Sequence, residues 1–261
     1  MPFHIIDGNN IFRINFETYG SIRAYLFELN AYPRFDPILF VWDGYNAKAR
    51  RRALYPGYKV GRARASDVFY RTMDLFKQVL PATRCMSLEI PGWEADDVIA
   101  KLHRLYAPIA DAIRIHSTDG DMLALCDGRH TQIVGRENIR YENTDWTEVR
   151  LYKALVGDNA DKITGLPFFG EKSWERCDRA RWMQFFTEGA TPDWDAEGEA
   201  LGINDCRALN WLRTPGNDAA LRGMWEIIGF FDVDEALITR HLVVGVPDDQ
   251  KMNEILTEFM I

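Results

Sequence analysis

Residues 91–97 read PGWEADD, which puts Glu94, Asp96 and Asp97 within four positions. Like charges this close repel one another, so the crowding needs a physical reason. Acids recur at spaced points along the first 161 residues: Asp7 in IIDGNN, Asp43 in FVWDG, Asp119 and Asp121 in STDGD, Asp158 and Asp161 in VGDNAD. The last two are three apart, a spacing that sets side chains on one face of a helical turn. Gathered on one rim, these nine acids would repel strongly unless cations sat among them. An all-oxygen donor set suits Mg²⁺ or Mn²⁺ rather than Zn²⁺. Mg²⁺ keeps several waters, so two acid clusters point to two ions, with some acids acting through water. Two ions about 3.5–4 Å apart can clamp the attacking and leaving oxygens of a phosphate displacement.

A phosphate also needs positive charge. Residues 44–66, GYNAKARRRALYPGYKVGRARAS, hold Lys48, Arg50, Arg51, Arg52, Lys59, Arg62 and Arg64 and no acid. Arg offers a bidentate fork and Lys a point charge. Tyr55 and Tyr58 interleave with these bases, and an aromatic ring can stack an unpaired nucleobase. Pro56-Gly57 breaks any helix there. The bland alternative is a solvated basic surface.

The elements that would position these groups follow from pattern. FHII (3–6), PILFVW (37–42), CMSLEI (85–90) and AIRIHS (112–117) read as short buried strands, and HTQIV (130–134) as an edge strand. Helical patterns separate them at residues 22–32, 66–80 and 95–109. Such alternation indicates a largely parallel α/β sheet. Strand C-terminal ends then share one edge, where ligands bind, and each strand end here is followed by an acid. The group at 94–97 also opens a helix, whose N-terminus favours negative charge. After residue 147 the texture turns helical: TEVRLYKALVG, KSWERCDRARWMQFFTEG, INDCRALNWL, NDAALRGMWEIIGFF and VDEALITRHLV. The expected fold is therefore α/β with a mostly parallel central sheet over residues 1–150, then a helical part over 151–261.

Composition bounds the rest. The 261 residues are 47% hydrophobic and 27% charged, ordinary for a globular protein. No apolar run reaches the roughly 20 residues of a membrane span, and the N-terminus lacks the basic region of a signal peptide. Cys85, Cys126, Cys177 and Cys206 form no CxxC, and the five His show no HExxH. Free thiols in a cytosol are expected. The net charge of −8 argues against nucleic acid on average, but the basic run and metal ions among the acids change that balance locally.

The ordered set IDGNN, FVWDG, RRRALYPGYKVGRA, GWEADD, STDGDM and GDNADKITGLPFFGEKS resembles the 5′ nuclease (flap endonuclease) superfamily, in particular its compact phage and bacterial branch. The likeness spans about residues 5–173. It implies a metal-dependent phosphodiesterase on branched or 5′-ended duplex DNA bearing a single-stranded 5′ flap, in the cytosol of a bacterium or a phage-infected host. It implies that Asp7, Asp43, Glu94, Asp96 and Asp119 form the inner metal cluster and that Asp97, Asp121, Asp158 and Asp161 complete it. It implies that residues of about 44–85 form an arch over the site, in which Lys59 and Arg62 meet the phosphate. Arg13, Arg51 and Tyr58 would contact DNA. ITGLPFFGEKS resembles the family's helix–hairpin segment, here within about 151–180, which grips duplex phosphates with a K⁺ ion; Gly165, Gly170, Lys172 and Ser173 match it. Phe168 stands where that segment often has Gly, and Lys162 where it has Asn. The resemblance further implies a DNA polymerase partner, and a monomer is expected. The competing readings are a PIN-type ribonuclease, a non-catalytic branched-DNA binding module and, more remotely, a haloacid-type phosphatase, whose DxD should follow the first strand where this chain has DGN.

Overall fold

The computed structural model describes residues 1–20, 22, 26, 29, 32–126, 130–134, 146–203 and 206–258. The helix expected over residues 22–32 lies almost wholly outside the described residues. The chain groups into two units, one of residues 1–47, 63–143 and 231–261, the other of 48–62 and 144–230. The single division expected near residue 150 is thus replaced by an exchange of segments. The cause is packing: Tyr58 is buried among the helical residues of the second unit, and residues 242–244 pair into the sheet of the first.

The first unit is a six-stranded sheet in the order β5-β4-β1-β2-β3-β6. The strands are β1 (Pro2–Asp7), β2 (Ile38–Asp43), β3 (Met86–Ile90), β4 (Ala112–His116), β5 (Thr131–Val134) and β6 (Leu242–Val244). All pairings are parallel except β3 with β6. Ile5, Phe40, Val41, Leu88, Ile113 and Ile115 are fully buried, which is why these strands read as apolar runs rather than alternating ones. The parallel register sets Asp7 opposite Val41, Asp43 opposite Ile90 and Ile6 opposite His116, so the strand ends share one edge. Helices Gly8–Tyr19, Asp67–Val79 and Ala95–Tyr106 belong to this unit. Ser66 caps the second, its hydroxyl accepting from the Phe69 N–H at 3.1 Å.

Gly44 follows β2 at a place with no room. A Cβ there would lie 1.9 Å from the Ile90 carbonyl oxygen, so only glycine lets the two strand ends approach. At the far edge, VDEALITRHLV is not helical throughout. The helix Glu235–His241 stops and Leu242 turns extended, with ψ 123. The β-branched Val243 and Val244 then complete β6.

The second unit contains helices Ala49–Leu54, Trp146–Leu155, Glu171–Trp174, Arg179–Thr187, Trp194–Glu197, Cys206–Arg213 and Asn217–Ile228. The run KSWERCDRARWMQFFTEG is two helices, because the Asp178 side chain accepts from the Arg181 N–H at 3.2 Å and starts a second one. Its core gathers Tyr58, Leu155, Trp182, Phe185 and Trp225. Among the described residues Cys85, Cys126 and Cys177 are free thiols, and no helix is long and apolar enough to cross a membrane.

Arg51 is part of this core rather than a surface base. It is 4% exposed. Its Nε donates to the Ile227 carbonyl at 2.9 Å and a terminal nitrogen donates to the Gly229 carbonyl at 3.0 Å. A DNA phosphate cannot reach a guanidinium so enclosed, and the expectation of a DNA contact is corrected to a structural clasp. Arg51→Ala leaves two carbonyls without these donors and a cavity behind, so unfolding free energy should fall by about 3 kcal/mol. Urea denaturation followed by Trp fluorescence measures this; an unchanged midpoint would refute the clasp.

Candidate active site

Asp7 closes β1 and also caps the next helix, its carboxylate accepting from the Asn10 N–H at 3.1 Å. Its second oxygen accepts from the Ser117 hydroxyl at 2.8 Å. That same hydroxyl accepts from the Asp119 N–H at 3.1 Å, so one side chain ties β1 to the end of β4. Asn9 and Asn10 add two more ties. Asn9 accepts from the Asp43 N–H at 2.9 Å, and Asn10 accepts from the Thr118 N–H at 2.9 Å and its hydroxyl at 3.0 Å. Asp43 accepts from the Ala95 N–H at 2.8 Å, joining the end of β2 to the helix that carries Asp96 and Asp97. Sequence reasoning missed Asn9, Asn10 and Ser117. The first two were visible as the NN after IDG; a single serine after a strand gives no such signal.

Asp7 is buried, and burial pushes its pKa up to about 7. The Ser117 and Asn10 hydrogen bonds oppose that shift, while the charges of Asp43 and Asp119 add to it. Acids from the ends of three neighbouring strands therefore feel one another. Glu94 is buried at the N-cap of the helix Ala95–Tyr106, and Asp96, half-buried, follows in its first turn. Asp97 is buried too and accepts from the Phe231 N–H at 2.9 Å, so one of its oxygens anchors the returning C-terminal segment. Asp119 accepts from the Asp121 N–H at 2.9 Å in a short 3-10 turn.

The donor chemistry fits a hard divalent cation: oxygen ligands only, on a rim whose acids raise the proton affinity of a buried member. Among the described residues, no three His, Cys, Asp or Glu side chains stand close enough to enclose an ion unaided. Water would complete the coordination, as Mg²⁺ prefers.

The remaining candidates lie in the second unit. Asp161 accepts from Arg62 at 3.0 Å, and the Lys59 ammonium lies 3.8 Å from the same oxygen. The Lys59 N–H also donates to the Asp161 carbonyl at 3.0 Å. Burial pushes the Asp161 pKa up in spite of these cations. Burial works the same way on Asp158, but Lys153 at 2.9 Å together with the Asp161 and Ala160 N–H groups outweighs it and holds that carboxyl below its usual range. Both late acids thus serve as counter-ions within their own unit. Tyr58 is 2% exposed and packs in the core beneath Lys59, whose ammonium sits 4.8 Å from its ring. A nucleobase cannot stack there, which corrects the expected DNA contact.

The hairpin segment forms as a tight turn. Asp158 and Ile163 exchange backbone hydrogen bonds at 2.8 and 2.9 Å. Gly165 is buried with φ 68, and a Cβ would meet the Leu155 carbonyl at 2.6 Å, so its role is the turn itself. Gly170 and Lys172 are exposed and Ser173 half-buried, open to a partner. In the first unit Arg13 is exposed, its guanidinium 5.1 Å from the Phe69 ring.

A parallel sheet with acids at successive strand ends, joined in one chain to a hairpin-bearing helical unit, is the architecture of the 5′ nuclease class. The chain belongs to the family described as 5′-3′ exonuclease, N-terminal resolvase-like domain, whose model matches residues 3–151. A 5′-3′ exonuclease of Aquifex aeolicus is 31% identical over 163 residues, 59% of this chain and 56% of that protein. The flap endonuclease Xni of Shewanella piezotolerans is 35% identical over 147 residues, 52% of this chain and 56% of that protein. The match to the thermostable DNA polymerase I of Thermus aquaticus is 31% identical over 53% of this chain and 17% of the polymerase. The chain therefore spans about half the length of two of these relatives and under a fifth of the third. The phage T5 D15 protein, crystallised with metal ions, shares the fold: TM-score 0.61 and 17% identity, covering 100% of this chain and 98% of that one.

The Asp7 environment makes a prediction with a definite sign. Folded, Asp7 keeps its proton to about pH 7, whereas the ordinary group loses it near 3.8. Its contribution to stability is therefore present below pH 3.8 and is lost as pH rises through 7. In EDTA, Asp7→Asn should melt with the wild type near pH 4 and increasingly above it as pH rises to about 7, the gap levelling off beyond. A pH-independent difference in Tm would show that Asp7 titrates normally.

Proposed function

We propose that the protein is a divalent-metal-dependent 5′ nuclease on DNA, acting as a 5′→3′ exonuclease and as a structure-specific 5′-flap endonuclease. The observation that carries this reading is the buried Asp7, pressed by Asp43 and Asp119 from neighbouring strand ends. The named activities of the Aquifex and Shewanella relatives support it. The substrate is branched or 5′-ended duplex DNA with a single-stranded 5′ flap, and the products are a 5′-phosphate and a 3′-hydroxyl. The polymerase relatives support work beside a DNA polymerase.

Asp7, Asp43, Glu94, Asp96 and Asp119 would hold two Mg²⁺ or Mn²⁺ ions, with Asp97 and Asp121 behind them. When bound, such ions activate water and neutralise charge on the reacting phosphate. Ser117 and Asn10 hold the Asp7 carboxylate in one orientation through its two oxygens. Asn9 fixes the Asp43 backbone against the end of β1. Lys59 and Arg62 supply positive charge for the DNA phosphate, and Asp161 fixes both cations in place. Lys172 and Ser173, with Gly170 leaving the backbone uncovered, contact the duplex, where a K⁺ ion would assist. Arg13 holds the flap strand.

Cleavage of a 5′-labelled flap in Mg²⁺ should stop in EDTA, and Asp119→Asn should nearly abolish it while leaving DNA affinity intact. Wild-type turnover in excess EDTA would overturn the metal-dependent reading; binding without any cleavage would favour the non-catalytic module. Separately, Lys59→Gln should lower the single-turnover rate about a hundredfold with little change in Kd. A loss confined to Kd would make Lys59 a tether instead.

A further inference from the structure

Phe168 is at odds with its position. It lies in the hairpin turn with φ 67, a left-handed conformation that strains a bulky side chain and costs glycine nothing. A turn needing only its shape is better served by Gly or Asn. Nor does burial repay the strain, for Phe168 is 55% exposed. Among the described residues of the helical unit, the exposed large apolar side chains are Leu54, Val60 and Phe168, so Phe168 is the aromatic one. Among the described residues its ring contact is the guanidinium of Arg207, 4.2 Å from the centroid, and Arg207 is itself exposed. An exposed contact of that kind is weak, of the same order as the strain it would have to offset.

We propose that Phe168 is a stacking contact for duplex DNA, with Arg207 beside it reaching a backbone phosphate. The inference rests on the DNA-binding reading above and assigns one residue to it. The chemistry is complementary. A ring face stacks on a base or inserts at a base step, and the adjoining guanidinium neutralises the phosphate next to it. Lys162 and Lys172, exposed on either side of Phe168 in the same hairpin segment, add charge of the same sign. Glu171, the carboxylate of this turn, is engaged by the Tyr152 hydroxyl. A residue kept in a strained backbone and left in solvent is explained if the strain presents the ring to a partner.

The test uses the full chain in Ca²⁺ with a fluorescently labelled 5′-flap duplex. It measures Kd by anisotropy at several salt concentrations and Tm for each protein. Phe168→Gly and Phe168→Asn both accept the left-handed backbone. They should melt no lower than the wild type yet bind about tenfold or more weakly. Phe168→Trp should bind like the wild type. The salt dependence of Phe168→Gly should match the wild type, because an apolar contact releases no counterions, whereas Arg207→Gln should reduce the slope by about one. Unchanged affinity in a loss-of-ring variant overturns the inference. So does a lower Tm in both loss-of-ring variants, which would make the ring structural. If the wild type itself fails to bind flap DNA, the nuclease reading falls as well; if it binds and cleaves while Phe168→Gly binds equally, only this inference falls.

Discussion

A carboxylic acid sealed from water at the end of a parallel strand is the constraint around which the first unit is built. Burial of Asp7 disfavours its ionised form, and Asp43 and Asp119 disfavour it further. The chain answers with hydrogen bonds from the first turn of a helix and from Ser117. The same groups lock the strand ends to one another, through Asn9 to β2 and through Asn10 and Ser117 to the segment after β4. The rim is therefore held together by backbone and neutral side chains while its carboxylates repel. That division of labour leaves the acids in place without mutual neutralisation, which is the condition a cation site requires.

The second unit handles charge in the opposite way. Asp158 and Asp161 are each paired, Asp158 with Lys153 and Asp161 with Lys59 and Arg62. Segment 48–62 is bound into this unit by its most buried members. Arg51 is fixed to two carbonyls 176 and 178 residues away, and Tyr58 lies in the core. A basic run that reads as a uniform solvated surface is in fact divided. Part of it is clasp, part is held by Asp161, and Arg50, Arg52 and Arg64 remain exposed.

The acids at strand ends were legible in the sequence because strand, turn and acid follow one another within a few residues, and the parallel register then brings them to one edge. The β strands were legible for the same local reason. What lay hidden depended on partners distant in the chain. Asp97 looks like any first-turn acid until Phe231 is seen donating to it across 134 residues. Arg51 and Tyr58 carry residue types that suit DNA, and only the packing of the second unit shows that they are buried. The strand Leu242–Val244 continues a helical pattern and is pulled out of it by pairing with β3.

Backbone strain marks both the hairpin and its basic neighbour. Among the described residues of the second unit the non-glycine ones with positive φ are Lys59, Lys162 and Phe168, at 52, 60 and 67. Two of the three adjoin Asp161, one through the next residue and one through a hydrogen bond from the Lys59 N–H to the Asp161 carbonyl. The left-handed turn at Lys59 is thus gripped twice by one residue, at the backbone by its carbonyl and at the side chain by its carboxylate. Lysine gains nothing from such a backbone where glycine would turn as well, and the grip keeps its ammonium group beside the Asp161 carboxylate. Asp161 is on this view the residue through which the hairpin sets the position of the basic segment. Its backbone and its charge contribute separately, since an amide in place of the carboxylate would keep the first hold and release the second.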